Sequence, residues 1–94
     1  MIRVLIERWL LPGTEDDFRA VMRGMRQEAL HAPGYISGET LRDVDAARHY
    51  VVISTWRLRA DWDAWAVSAA RDAVRERIRP MLAEEERTTV LEPA

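Results

Sequence analysis

Two stretches of the sequence, Ile2–Leu10 and His49–Arg57, have the period-two pattern of β-strands and carry apolar side chains on both faces. In the first stretch, Leu5 and Trp9 add apolar surface to the face opposite the main apolar one. A sheet that shows one face to water normally alternates apolar and polar side chains. Two doubly apolar strands therefore predict a sheet that is covered on both faces.

Two helical patterns lie between the predicted strands. The first follows a Pro-Gly pair, with Thr14 as the predicted N-cap and Asp17 in the capping-box position, and it ends near residues 31–32. The second covers Ala60–Ile78 and stops at a proline. Ser68 is a candidate cap within it, which predicts either one long helix or two short helices that meet at a bend.

Further predicted strands at Tyr35–Arg42 and Arg87–Leu91 complete the order β–α–β–β–α–β. Right-handed crossovers then place the helices on one face of an antiparallel four-stranded sheet, which is the ferredoxin-like arrangement of the α+β class. We expect a single domain over residues 1–94. Because 48% of the 94 residues are hydrophobic, we expect a second copy to cover the helix-free sheet face and form a homodimer.

Composition excludes several classes of function. The chain has no cysteine, and therefore no disulfides, thiolate nucleophile or Cys-ligated metal. All 14 basic residues are arginine, so no lysine can form a Schiff base. The formal net charge is −2, whereas nucleic-acid-binding proteins usually carry an excess of positive charge. Without a long apolar run or a signal-peptide pattern, we expect a cytoplasmic protein with no membrane partner.

Several segments occur in an order and spacing that match a known family. They are Val4–Trp9, Ala32–Glu39 and Tyr50–Trp56, followed by Trp65, Ser68 and Arg79–Leu82. Over nearly its whole length the chain resembles the antibiotic biosynthesis monooxygenase domain family, whose members form dimeric α+β barrels. The resemblance implies a pocket between the sheet and the helices. Some members oxidise polycyclic aromatic phenols to quinones without metal or flavin, so it also implies no cofactor.

Four side chains are candidates to bind a substrate in such a pocket. Trp56, Trp62 and Trp65 would form its aromatic walls, although core and dimer packing explains tryptophans equally well. Arg75 is the candidate to meet an anionic substrate oxygen. It shares one side of the second helical pattern with Arg71 and Arg79, a row that is also typical of a solvated face.

Two further side chains are candidates for catalysis. His49 is the one histidine on a predicted strand and would act as general base toward a phenolic proton. Glu7 would be a catalytic carboxylate with a raised pKa, and Glu39 has the same potential. Ordinary structural roles also fit these residues, because His49 opens a hairpin strand and either glutamate can pair with an arginine. No metal-ligand motif is present.

Three functions remain as hypotheses. The first is a cofactor-independent monooxygenase for an aromatic or polyketide-type molecule, and the second is a non-catalytic, dimeric small-molecule-binding module. The third is haem binding or degradation, which is disfavoured by comparison with haem-degrading relatives. Those relatives use an asparagine on the first strand and a helical histidine, whereas this sequence has no asparagine and has Ala70 and Arg75 near the histidine positions.

Overall fold

A computed structural model describes all residues from Met1 to Ala94. The elements are β1 (Ile2–Trp9), α1 (Glu15–Ala29), β2 (Tyr35–Arg42), β3 (His49–Trp56), α2 (Arg59–Ala66), α3 (Ala69–Ile78), a 3-10 turn (Arg79–Met81) and β4 (Arg87–Leu91). The predicted order of elements is confirmed. The second helical pattern is two helices, because the Ser68 side chain accepts a hydrogen bond from the Arg71 backbone N–H at 3.2 Å and so begins α3.

The four strands form one sheet in the order β2-β3-β1-β4, and all neighbouring strands are antiparallel. This confirms the ferredoxin-like fold. Alternate β1 side chains, including Val4 and Ile6, are buried beneath the helices. Leu5 and its cross-strand partner Ile53 lie on the opposite face and are only half-buried. None of the helices is long and apolar enough to span a bilayer.

Helix α1 differs from its prediction at both ends. Thr14 occupies the N-cap position, but its backbone is near-helical and its hydroxyl donates to the Leu11 carbonyl oxygen at 2.7 Å. The expected capping box is therefore wrong, because an N-cap side chain reaches the first-turn N–H groups from an extended backbone. The helix also ends at Ala29, before the predicted end near residues 31–32.

The core between the sheet and the helices has two apolar clusters. One contains Leu10, Phe18, Val21, Met22, Tyr50 and Ile78. The other contains Ile2, Val4, Ile6, Trp56 and Trp62. Val52 packs against both clusters. The sheet also buries a charged side chain on this side, that of Arg8.

Two glycines allow a matched test of backbone strain. Gly34 has a φ of 81°, and a Cβ atom there would collide with the Asp61 side chain. Gly34→Ala should therefore lower the free energy of unfolding by about 1–2 kcal/mol or more. Gly24 lies within α1 with nothing near its Cβ position, so Gly24→Ala should raise it by about 0.5–1 kcal/mol. Urea unfolding of both variants measures the two changes in the free energy of unfolding, which should have opposite signs. Equal changes would contradict the strained backbone assigned to residue 34.

Candidate active site between the sheet and the helices

A small cavity with aromatic walls lies between the sheet and the helices. Trp56, at the end of β3, is the central residue of the aromatic wall. The centroid of its ring lies 5.3 Å from that of Tyr35, 5.8 Å from that of Trp62 and 6.2 Å from that of Trp65. The Trp56 indole N–H donates to the Ser54 hydroxyl at 3.0 Å, which fixes the ring. The cavity volume is about 50 Å³, much less than the ~300–1,000 Å³ of typical ligand pockets.

Arg71, from the first turn of α3, supplies a buried cation to this cavity. The residue is 4% exposed, and its guanidinium carbon lies 5.1 Å from the centre of the Trp62 ring. Its Nη1 donates to the Ala66 carbonyl oxygen at 3.3 Å, but its buried Nε has no hydrogen-bond partner. Burial lowers the pKa of Arg71, although a guanidinium stays charged in proteins. A free, buried donor among aromatic rings suits an anionic oxygen.

Arg71 belongs to a buried ionic cluster around Glu86. The Arg8 Nε lies 2.7 Å and the Arg75 Nε 2.9 Å from the Glu86 carboxylate, and the Arg71 Nη2 lies 3.9 Å from it. Burial raises the pKa of Glu86, but the arginine charges and the Arg8 hydrogen bond outweigh this, so the net pKa is lowered. Three guanidinium groups surround one carboxylate. The cluster therefore keeps a net positive charge, and the Arg8 Nη2 is a second buried donor without a partner.

A wider cleft adjoins the aromatic cavity at the open edge between α1 and β2. Its volume is about 420 Å³, and Met22 and Arg26 line both spaces. The Arg26 guanidinium donates to the Gly38 carbonyl oxygen across this edge. Cleft and cavity together fall within the usual size range of ligand pockets.

The structure brings three of the predicted substrate-binding residues together and separates the fourth. Trp56, Trp62 and Trp65 all line the aromatic cavity. Arg75 lies outside it, with a side chain that is 40% exposed and bonded to Glu86. Arg71, from the same helix side, lines the cavity in place of Arg75. The difference arises because α3 is a separate helix that begins after its N-cap Ser68. This start determines which of its side chains face the cavity.

The two predicted catalytic residues meet on the helix-free face of the sheet, away from the cavity. The His49 Nε2 lies 3.2 Å from the Glu7 carboxylate, and its Nδ1 lies 2.9 Å from Asp43. The imidazole also stacks on Trp9, with ring centroids 4.9 Å apart. Both residues are half-buried. Their catalytic role stays a prediction.

This arrangement predicts a pH dependence of stability. The hydrogen bond to Asp43 is the main cause that raises the pKa of His49. Burial opposes this rise, and the Glu7 carboxylate adds to it. A raised folded-state pKa means that His49 stabilises the fold below its unfolded pKa of about 6.5. This stability is lost as the pH rises through the folded-state pKa. Asp43→Asn should lower the pKa in an NMR titration of His49, whereas Asp45→Asn should leave it unchanged. Equal effects would contradict the assignment.

No three His, Asp or Glu side chains are grouped so that they could hold a metal ion. The sequence model of the family described as antibiotic biosynthesis monooxygenase matches residues 1–77. The chain belongs to this family. Membership of the antibiotic biosynthesis monooxygenase family agrees with the fold. None of the curated proteins matches the sequence.

Solved structures in and around this family share the fold at low sequence identity. A conserved protein from Methanosarcina mazei is 15% identical with a TM-score of 0.93, over 99% of this chain and 92% of that one. Rv0793 from Mycobacterium tuberculosis is 20% identical with a TM-score of 0.89, over 99% and 94%. SnoaB, a cofactor-independent oxygenase from Streptomyces nogalater, is 15% identical with a TM-score of 0.85, over 99% and 93%. These similarities extend to the fold alone.

Proposed function

We propose that this protein is a cofactor-independent monooxygenase that oxidises an aromatic phenol between the sheet and the helices. The observation that carries the proposal is the buried Arg71 guanidinium, which has an unpartnered Nε in a cavity walled by tryptophans. Family membership supports the class of reaction, as does the similarity to SnoaB, which is named a cofactor-independent oxygenase.

The chemistry needs a phenolate in an apolar site. Arg71 stabilises the phenolate oxygen, and the net positive charge of the neighbouring Glu86 cluster adds to this effect. A phenolate is electron-rich enough to reduce O₂ directly. For an anthrone-type phenol, a ring carbon exchanges two hydrogens for one oxygen atom of O₂ and becomes a carbonyl. The second oxygen atom leaves as water, so atoms and electrons balance.

The substrate must widen the aromatic cavity as it enters. Two of its walls are Met22 and Met25, whose unbranched side chains adopt alternative rotamers easily. The adjoining cleft offers the rest of the space. The aromatic body would therefore lie against the tryptophans and extend outward past Met22.

Oxygen uptake and quinone formation with anthrone-type phenols test the proposal. Arg71→Gln should reduce the rate of quinone formation about 100-fold, as expected when one oxyanion donor is lost. Arg77→Gln, an exposed change on the same helix, should leave the rate unchanged. If the folded wild-type protein turns over no member of a broad phenol panel, the proposal is wrong. If Arg71→Gln retains full activity, Arg71 has no role in it.

The small volume of the aromatic cavity favours a second candidate function, a non-catalytic small-molecule-binding module. In that case phenols should bind to the wild-type protein without oxygen uptake. A hemin titration separates the third hypothesis from both. A haem-binding protein would shift the Soret band of hemin. His31 and His49 both lie outside the aromatic cavity, so we expect no shift.

We further propose that a second copy of the chain covers the helix-free sheet face. Leu5, Val51 and Ile53 form an apolar centre there, and the face also carries both Glu7 and Arg3, so a twofold axis can pair opposite charges. The proposed homodimer should have twice the 10.9 kDa mass of the chain in sedimentation experiments.

A charge in the middle of this face tests the homodimer. Ile53→Glu should halve the sedimenting mass, because each copy would then bury a carboxylate against the other. Val67→Glu should leave the mass unchanged, since Val67 is exposed between α2 and α3. A wild-type protein that sediments as a monomer at micromolar concentration would overturn the proposal.

A further inference from the structure

The cleft outside the aromatic cavity has an unusual concentration of positive charge. Arg19, Arg23 and Arg26 project from one side of α1 at helical spacing, and Arg42 comes from the end of β2. The whole chain has a formal net charge of −2. Four converging arginines are therefore a local property of this opening.

Little in the cleft neutralises this charge. Arg19 pairs with Asp16 on the surface, whereas Arg23 and Arg42 take part in no salt bridge. Glu39 is the one acidic residue that lines the cleft. It also lines the aromatic cavity, and its single carboxylate cannot neutralise Arg23, Arg26 and Arg42 together. The cleft thus has a surplus of hydrogen-bond donors and positive charge.

A buried hydroxyl gives a second, independent sign of a ligand. Tyr50 is 3% exposed and lines the cleft, and its hydroxyl has no hydrogen-bond partner. It lies opposite Arg42 in the β2–β3 pairing. Buried polar groups without partners are rare, because their desolvation is not compensated. An anion in the cleft would accept hydrogen bonds from this hydroxyl and from the arginines together.

The cleft and the aromatic cavity share Met22 and Arg26, so one molecule can occupy both. We propose that the substrate is an aromatic carboxylic acid. Its ring system occupies the tryptophan-walled cavity, and its carboxylate binds in the cleft to Arg23, Arg42 and the Tyr50 hydroxyl. A planar carboxylate matches the fork of donors on arginine. The aromatic half of this proposal rests on the proposed function, and the carboxylate half rests on the cleft alone.

Binding of a matched pair of probes tests the inference. The probes are 5-hydroxy-1-naphthoate and its uncharged methyl ester, and quenching of tryptophan fluorescence at pH 7 reports their affinities. The acid should bind at least about tenfold more tightly than the ester, with a difference that shrinks as salt is added. The double variant R23Q/R42Q should abolish the difference, and Tyr50→Phe should reduce it severalfold. A control variant, R48Q/R77Q, removes two exposed arginines elsewhere and should preserve it.

The outcomes separate this inference from the proposed function. Equal affinities for acid and ester would overturn the inference and leave the aromatic function intact. A preference for the acid that survives in R23Q/R42Q would overturn the assigned site. Tight binding of the acid without oxygen uptake from any phenol would support the inference and refute the monooxygenase proposal. If neither probe binds to the folded protein, the inference fails, and oxygen uptake with the phenol panel decides the proposed function separately.

Discussion

Glu86→Gln should lower the free energy of unfolding by about 3–5 kcal/mol, which is the usual cost of breaking a buried ion pair from one side. Glu86 is the shared partner of Arg8, Arg71 and Arg75. Its removal leaves their charges without a counter-ion. The neighbouring Glu85→Gln serves as the control, because Glu85 is exposed and should change stability by no more than about 0.5 kcal/mol.

The partners of Glu86 differ in how they can respond. Arg75 is 40% exposed and can turn into water, whereas Arg8 is 1% exposed and cannot. Most of the cost should therefore arise at Arg8 and Arg71. A double-mutant cycle of Glu86→Gln and Arg8→Met in urea unfolding measures the share that arises at Arg8. We expect a coupling energy of about 1–3 kcal/mol between the two residues. If Glu86→Gln costs as much in the Arg8→Met background as in the wild-type protein, the ionic explanation is wrong.

The same cluster fixes the sign of the acid response. The lowered pKa of Glu86 in the folded state means that its stabilisation is present above the unfolded value of about 4.3. It is lost as the pH falls through the folded-state pKa. Glu86→Gln should therefore flatten the acid side of the stability profile, whereas Glu85→Gln should not.

The fold could be predicted from local patterns because each element carries its own signal. The doubly apolar strands, the two helical patterns and Ser68 as a cap all follow from spacing within short windows, and Ser68 does start α3. The failure of the Thr14 side chain to cap α1 could not be predicted, since it depends on a backbone angle. The sequence pattern permits a cap at Thr14 but does not determine the conformation of the chain that enters the helix.

The site was less predictable because it joins residues that are distant in sequence. Arg8 follows Ile6 on the buried face of β1, so alternation alone places it inside, but only the fold brings Glu86 to it. Arg71 and Arg75 share a helix side, and the choice between them depends on the phase of α3 after the bend. The proposed carboxylate site depends on the pairing of Arg42 with Tyr50 across β2 and β3, which only the fold reveals.

Trp56→Ala should also cost about 3–5 kcal/mol, the range for truncating a buried aromatic side chain. Trp56 is 1% exposed, contacts the rings of Tyr35, Trp62 and Trp65, and has its indole N–H bonded to Ser54. Trp65→Ala should cost less, about 1–2 kcal/mol, because Trp65 is only partly buried. Urea unfolding of the two variants measures the difference, and equal costs would contradict this difference in packing.

The unequal burial decides which tryptophan can report on substrate binding. A loss of activity in Trp56→Ala would reflect the disrupted core as much as a lost substrate contact. Trp65→Phe retains an aromatic ring at a partly buried wall of the cavity, so its fold should survive. If Trp65 contacts substrate, this variant should raise KM severalfold while the free energy of unfolding changes by less than about 1 kcal/mol. Unchanged KM with lowered stability would assign Trp65 to packing alone.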